Sequence, residues 1–145
     1  MALFLVLPGG AVAGCSACGE GVEVRRAEPP AAGASPVEVV RAYFDALAGH
    51  DKETGRLMWD TTSPQYEAEF TGPASSFTNW ISVTDVEIGE PEVENCGDID
   101  KCVRVRVSYV FEQCEFYTGD DGDYSERFFL DRVGGRWLIN GHGQG

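Results

Sequence analysis

One carboxylate near the end of the chain lies on the apolar face of a predicted strand. In the segment 124–130, Tyr124, Phe128 and Leu130 share one face of an extended strand, and Glu126 falls on that same face. A carboxylate buried there without a partner would have a raised pKa and could act as an acid or a hydrogen-bond donor. Pairing with an arginine at the mouth of a cavity is the structural alternative.

Other polar and aromatic side chains could line the same interior. Gln113 follows Tyr109 and Phe111 on one face of an earlier strand, so its amide is also expected to point inward. Aromatic residues at such positions belong to a packed core more often than to a binding cavity. The candidate cavity residues are Tyr43, Trp59, Tyr66, Tyr109, Gln113 and Glu126.

Metal and hydrolytic chemistry find little support in the residue spacing. His50 and His142 lie far apart in the sequence and have no evident Ser or Cys partner for a hydrolytic triad. Two acidic stretches, 85–100 and 120–123, lack the spacing that directs oxygen ligands to one calcium ion, and solvated strand edges explain them as well. We expect neither a metal nor a cofactor.

Helices should come first in the folded domain. Ser35-Pro36-Val37-Glu38 combines a Ser N-cap, a Pro at the first helical position and a Glu that closes a capping box. The apolar residues that follow have helical spacing up to Leu47, and Gly49 ends the helix. Asp51 can cap a second helix, and Ser63-Pro64 can open a third.

After Phe77 the hydrophobic period changes to that of strands. We predict strands over 80–89, 102–116, 124–132 and 136–142, with Gly134-Gly135 as a hairpin turn. Three helices followed by antiparallel strands predict an α+β fold in which the helices pack on one face of a curved sheet.

Two of these segments resemble the NTF2-like superfamily, which includes ketosteroid isomerases and polyketide cyclases. The helix 37–47 with Gly49-His50-Asp51 is similar to the first helix and turn of that superfamily, and 134–141 is similar to its last hairpin. The resemblance spans about residues 35–143 and implies a cone with a cavity between sheet and helices, and pairing of two copies through the sheet. It does not fix the function.

The resemblance also implies roles for particular residues. Tyr43 matches the oxyanion-hole tyrosine of the isomerases, and Glu126 matches roughly their second, acidic donor. The catalytic base has no clear match, and Asp60 and Glu67 are weak substitutes. An oxyanion hole without a base does not turn over. Tyr43, Glu126 and Asp60 therefore carry only an alternative hypothesis, that of a small isomerase, dehydratase or cyclase.

The first residues of the chain are typical of an export signal. An apolar run over 2–7 is followed by small residues directly before Cys15. Val12-Ala13-Gly14-Cys15 resembles the lipobox of bacterial lipoproteins, which implies a signal peptide over 1–14 and lipidation of Cys15. The segment 15–34 is rich in Gly, Ala, Glu and Pro and predicts a flexible tether before the domain 35–145.

Export favours disulfide bonds among the five cysteines. Cys96 and Cys102 flank a turn-like stretch and are expected to form a local disulfide. The pairing of Cys18 and Cys114 stays open. Cys15 and Cys18 lack a second pair at the spacing of a zinc site.

Composition limits the partners. The chain of 145 residues has 24 acidic against 11 basic residues and a net charge of -13, which disfavours nucleic acid because phosphate binding depends on Lys and Arg. No apolar run reaches the roughly 18 residues that span a bilayer. The sequence thus predicts a module anchored by lipid on the extracytoplasmic side of the cell membrane, which binds a small apolar ligand or a protein partner without catalysis.

Overall fold

The computed structural model describes residues 22–72, 75–113 and 122–144, without the side chains of 79–81. The predicted signal peptide, Cys15, Cys18, Cys114 and the acidic pair Asp120-Asp121 lie outside these residues. Within the described part, no helix is long and apolar enough to cross a membrane.

The first helix, α1, spans Pro36–Ala48 and begins as its sequence predicts. Ser35 Oγ accepts a hydrogen bond from the backbone N–H of Glu38 (3.2 Å), and the Glu38 carboxylate accepts one from the N–H of Ser35 (2.7 Å). This capping box satisfies two backbone donors that a helix start leaves without partners. The helix buries one face, on which Val40, Tyr43, Phe44 and Leu47 lie.

Three short helices follow α1, where the sequence predicted two. They are α2 (Lys52–Arg56), α3 (Tyr66–Phe70) and α4 (Ser76–Asn79). The buried carboxylate of Asp51 caps α2, as predicted, by accepting from the N–H of Thr54 (3.2 Å). The single turn of α4 has no apolar periodicity of its own, so the sequence pattern does not show it.

The strands form one five-stranded antiparallel sheet, which makes the fold α+β. The strand order is β1-β3-β4-β5, and β2 pairs with β3 beside β1. The turn between β4 and β5 has positive φ at both Gly134 and Gly135, as a two-residue hairpin turn requires. The strands are β1 (Trp80–Ile88), β2 (Glu92–Val93), β3 (Cys102–Gln113), β4 (Gly122–Val133) and β5 (Arg136–Gly143).

The core lies between α1 and the inner face of this sheet. On β3 the predicted alternation holds, because Val103, Val105, Val107, Tyr109 and Phe111 are all buried. The Phe44 ring of α1 packs between Tyr109 (5.0 Å between centroids) and Phe128 of β4 (5.3 Å). Aromatic rings therefore occupy the interior in which the sequence placed a cavity.

A bulge in β5 changes which of its side chains face the core. Leu130 pairs with Ile139, whereas Phe129 pairs with Gly141, so Asn140 is an extra residue in the strand. Ile139 is fully buried, and regular alternation from it would turn residue 142 toward solvent. With Asn140 inserted, His142 instead pairs with the inward-facing Phe128.

The outer edge of β5 is covered by the chain that follows α2. The N–H of Ile139 donates to the carbonyl of Met58 (2.7 Å), and the N–H of Asp60 donates to the carbonyl of Ile139 (2.8 Å). The Ser63 hydroxyl donates to the carbonyl of Asn140. These bonds satisfy backbone groups that an edge strand would leave open.

The segment 25–34 is held against the domain, which differs from the flexible tether predicted for 15–34. The N–H of Arg25 donates to the carbonyl of Gly49 (2.8 Å), and the N–H of Ala27 donates to the Asp51 carboxylate (3.0 Å). The Arg26 guanidinium contacts the same carboxylate (3.1 Å). These polar contacts hold 25–34 against the domain. The hydrophobic pattern of the sequence does not predict them. We call this segment the strap.

The sulfur atoms of Cys96 and Cys102 lie at disulfide distance, across the turn that the sequence singled out. Cys102 pairs with Asp131 on the outer face of the sheet. The bridge therefore closes the loop 96–102 by joining Cys96 to the first residue of β3.

Candidate functional site

The interior contains a chain of polar side chains that begins at Tyr43 on α1. Its hydroxyl donates a hydrogen bond to Oε1 of Glu69, a buried residue of α3. Glu69 lies three residues after Tyr66 and one before Phe70, so it shares the inward face of this short helix. The carboxylate is thereby placed in the core rather than in solvent.

His142 on β5 connects this carboxylate to a second one. Its Nε2 lies 2.7 Å from Oε2 of Glu69, and its Nδ1 lies 3.4 Å from Oε2 of Glu126, an ion-pair distance rather than an aligned hydrogen bond. The ring stacks on Phe128 at 4.9 Å between centroids and meets the edge of Trp59 at 6.0 Å.

The chain of contacts ends at Tyr109 on β3. Its hydroxyl donates to Oε2 of Glu126 at 2.7 Å. Glu126 faces inward on β4, beside Phe128 and Tyr124 on the same face, and its side chain is 11% exposed. We call the five connected side chains the buried cluster: Tyr43, Glu69, His142, Glu126 and Tyr109.

The charges of the buried cluster follow from these contacts. Burial by itself would lower the pKa of His142, but the carboxylates of Glu126 and Glu69 raise it to about 10. Burial would raise the pKa of Glu126, yet the contact with His142 and the hydroxyl of Tyr109 hold it below its usual value. At neutral pH the cluster therefore contains an imidazolium ion beside an ionised Glu126.

This charge state corrects the expectation for Glu126. The sequence predicted that an unpartnered carboxylate would have a raised pKa, whereas the pKa is lowered because the partner is His142. An ionised carboxylate accepts hydrogen bonds and does not donate them, which disfavours the acidic-donor role that the isomerase hypothesis gives to Glu126. Burial and the neighbouring Glu126 also raise the pKa of Tyr109, which keeps its hydroxyl protonated as the donor.

The structure brings some of the predicted cavity residues together and leaves others apart. Tyr43, Trp59, Tyr109 and Glu126 lie in one interior, and the rings of Tyr43 and Trp59 are 6.2 Å apart between centroids. Tyr66 is half-buried against Phe70, and Gln113 lies at the end of β3 opposite Trp80.

One of the weak base candidates has a local structural role. The Asp60 carboxylate accepts hydrogen bonds from the N–H (2.9 Å) and the hydroxyl (2.7 Å) of Thr62, which closes a turn. Sequence reasoning passed over Glu69, the carboxylate of this region that does enter the interior. Glu69 lies on the same helix face as Tyr66 and Phe70, and this sequence feature could have identified it.

The sequence pattern also does not identify His142, whose partners are Glu69 and Glu126 and not a Ser or a Cys. The bulge that turns it inward has no mark in the sequence beyond a run of small and polar residues at 140–143. Its partners come from α3 and β4, which are distant along the chain.

The side chains of the buried cluster are paired with one another. Both carboxylates are turned toward the same imidazolium, and both tyrosine hydroxyls donate to those carboxylates. An imidazolium between two carboxylates is a poor general base, since its nitrogens already carry their protons. In the described part of the chain, no group of three or more His, Cys, Asp or Glu side chains could hold a metal ion.

No family model, curated protein or solved structure matches this chain. The functional assignment rests on its own residues.

Proposed function

We propose that the protein is a lipid-anchored, extracytoplasmic module with an NTF2-like cone, which binds a ligand or a partner and has no catalytic activity of its own. The lipobox-like Val12-Ala13-Gly14-Cys15 supports the anchor. The order of helices and antiparallel strands supports the fold.

The observation that carries the non-catalytic part is the mutual pairing within the buried cluster. Isomerase-type chemistry needs donors aimed at a substrate and a base free to take its proton. Here Tyr43 donates to Glu69, and Glu126 accepts from Tyr109 beside His142. The polar groups that would polarise a substrate are engaged with one another.

Packing favours binding at the surface over binding in the interior. The ring of Tyr43 is within 6.2 Å of those of Phe44, Trp59, Phe77 and Phe128. Of three clefts on the described surface, one is lined in part by Tyr109, and none is lined by Tyr43, Trp59 or Glu126. A ligand, or a segment of a partner, would meet one of these clefts before it reached the aromatic core.

The anchor is tested by Cys15→Ser in the full-length chain. The variant should leave the membrane fraction and lose its lipid label, because each acyl methylene buried in the bilayer contributes about 0.8 kcal/mol and two or three chains hold a protein firmly. Cys18→Ser is the matched control and should stay with the membrane. Unchanged fractionation of Cys15→Ser would refute the anchor.

The non-catalytic part is tested separately with the soluble Cys15→Ser protein. It should not turn over ketosteroid or dehydratable substrates. Steady turnover that is lost in Glu126→Gln would overturn this part and restore the isomerase, dehydratase or cyclase alternative.

A further inference from the structure

The outer face of the sheet carries two arginines side by side, which we call the arginine pair. Arg106 of β3 pairs in register with Arg127 of β4. Both point away from the core, since the residues that alternate with them are buried: Val105, Val107 and Phe128. Like charges directly opposite each other on neighbouring strands destabilise a sheet. The arginine pair therefore costs stability in the free protein, and a bound anion would remove that cost.

Neither guanidinium of the arginine pair has a partner among the described residues. Arg104, two residues before Arg106, bonds to Glu92 at 2.9 Å, whereas no ion pair or side-chain hydrogen bond within the described ranges includes Arg106 or Arg127. Arg106 is exposed and Arg127 is half-buried, so a ligand can reach both groups from solvent. The two guanidinium groups are therefore accessible donors on an acidic molecule.

Glycines flank the arginine pair on both sides. The N–H of Gly89, which follows β1, donates to the carbonyl of Arg106 (2.8 Å), and Gly143 of β5 pairs with Arg127. A Cβ added at Gly143 would have nothing within 4 Å, so the space beside Arg127 is open. Across these four positions of the sheet, the two arginines are the only side chains that rise from the surface.

Two hydroxyl donors lie next to the arginine pair on the same face. Ser108 of β3 pairs with Ser125 of β4, and neither hydroxyl has a hydrogen bond within the described residues. Two guanidinium forks and two hydroxyls present about six donors, more than the roughly four lone-pair sites of a carboxylate accept. A phosphate monoester has three strong acceptor oxygens, and arginine binds phosphate through two parallel N–H groups. The set of donors therefore favours a phosphate over a carboxylate.

We propose that the arginine pair binds the phosphate group of a small phosphate monoester, with Arg106 and Arg127 as its main donors. The inference rests on the proposed function as a binding module and names the ligand as an anion. The net charge of -13 repels anions at long range, but salt screens this repulsion over about 8–10 Å, so the two arginines dominate at contact. Glu87, which pairs with Ser108, is a neighbouring carboxylate that opposes the ligand.

The test is a titration of the ¹⁵N-labelled full-length Cys15→Ser chain with phenyl phosphate, followed by amide chemical shifts. At a pH of about 7.5 the ester is mainly a dianion, since its second pKa is about 6. Saturable changes should appear at 104–108, 125–129 and 143, with a dissociation constant of about 1 mM or tighter. Arg106→Gln and Arg127→Gln should each weaken binding about tenfold or more. Arg41→Gln, which changes an exposed arginine of α1, is the matched control and should bind like the unchanged chain.

Unfolding without ligand separates a binding role from a structural one. Arg106→Gln and Arg127→Gln each relieve the repulsion between the two arginines, so their urea midpoints should equal or exceed that of the unchanged chain. A loss of binding in these variants then cannot be ascribed to a loss of fold. A clearly lower midpoint in both variants would show that the arginines support the fold, and would overturn the proposal.

Two neighbouring positions test the charge of the site in opposite directions. Gly143→Asp should abolish saturable binding, because it places a carboxylate beside Arg127, whereas the uncharged Gly143→Asn of similar size should retain it. Glu87→Gln should tighten binding severalfold, because it removes a carboxylate that repels the ester. Equal binding by Gly143→Asp and Gly143→Asn would contradict an electrostatic site.

Two further ligands decide the chemistry of the group that is bound. Neutral phenol should give no saturable shifts, and benzoate should bind more weakly than phenyl phosphate. Benzoate that binds as tightly as the ester would overturn the assignment to phosphate. Absence of saturable shifts with phenyl phosphate, or unchanged binding in both Arg106→Gln and Arg127→Gln, would refute the site while leaving the membrane fractionation of Cys15→Ser unaffected.

Discussion

His142 remains charged in the interior because two carboxylates lie against its ring. Its pKa of about 10 in the folded chain is above the ordinary value of 6.5. A raised pKa stabilises the fold fully below about pH 6.5, and this contribution is lost as the pH rises toward 10. The histidine therefore favours the folded state most in mildly acidic and neutral solution.

His142→Gln should remove this pH dependence. The free energy of unfolding of the variant should be below that of wild type at about pH 6.5, and the difference should shrink by up to about 1.4 kcal/mol for each pH unit toward 10. Urea unfolding of both proteins across this range measures the difference. A proton NMR titration that shows His142 losing its charge near pH 6.5 would contradict the assignment.

Glu126→Gln should destabilise the chain at pH 7, because it leaves the imidazolium with one carboxylate instead of two. Removing one partner of a buried ion pair costs up to roughly 3–5 kcal/mol, and we expect a smaller loss here because Glu69 still lies against the ring. Because the pKa of Glu126 is lowered in the folded state, its contribution is present above about 4.5 and is lost as the pH falls further. Urea unfolding at pH 7 and in acid should show the gap between variant and wild type closing.

The control for Glu126 is Glu112→Gln, an exposed residue of β3 whose change should have almost no effect. A Glu126→Gln variant as stable as wild type at pH 7 would mean that the carboxylate has no charged partner. Unchanged stability is the result expected for an unpaired buried acid, whereas the structure predicts that the variant loses stability.

At the scale of elements, local patterns were enough for much of the fold. The capping box at Ser35 and the alternation along β3 each depend on neighbours in the sequence, so they could be predicted. The buried cluster depends on a bulge at Asn140 and on a carboxylate in a five-residue helix. Neither feature produces a periodic signal in the sequence. The two central members of the buried cluster, His142 and Glu69, were therefore not predicted.

The strap depends on a close backbone approach at Gly49. A Cβ at this position would overlap the carbonyl oxygen of Arg25, which lies against it. Gly49→Ala should therefore displace the strap, with a loss of roughly 1–3 kcal/mol, as for other overpacked sites. Trypsin should then cut more rapidly after Arg25 and Arg26.

Gly33→Ala is the matched control for this prediction, since a Cβ added there has nothing within 4 Å. It should leave the trypsin pattern unchanged. Equal cleavage of wild type and Gly49→Ala would show that the bond between Arg25 and Gly49 does not hold the strap.

The whole molecule carries a large excess of negative charge, -13 at neutral pH. Self-repulsion of like charges destabilises a compact state, and salt screens it over a Debye length of about 8–10 Å. Adding salt up to about 0.3 M should therefore raise the urea midpoint of unfolding at pH 7. Near the pI of about 4.4 the same salt should have little effect, and an equal effect at both pH values would exclude self-repulsion as the cause.

The covered edge of β5 affects how copies of the protein associate when they are concentrated. The proposed lipid anchor would bring copies of the protein together at a membrane surface, where an open strand edge would let one sheet pair with the next and grow into fibres. Met58 and Asp60 already occupy the backbone groups of Ile139, while Asp85 and Glu87 place charge along the other border of the sheet. The fold thereby resists polymerisation at both borders, by backbone pairing at one and by repulsion at the other.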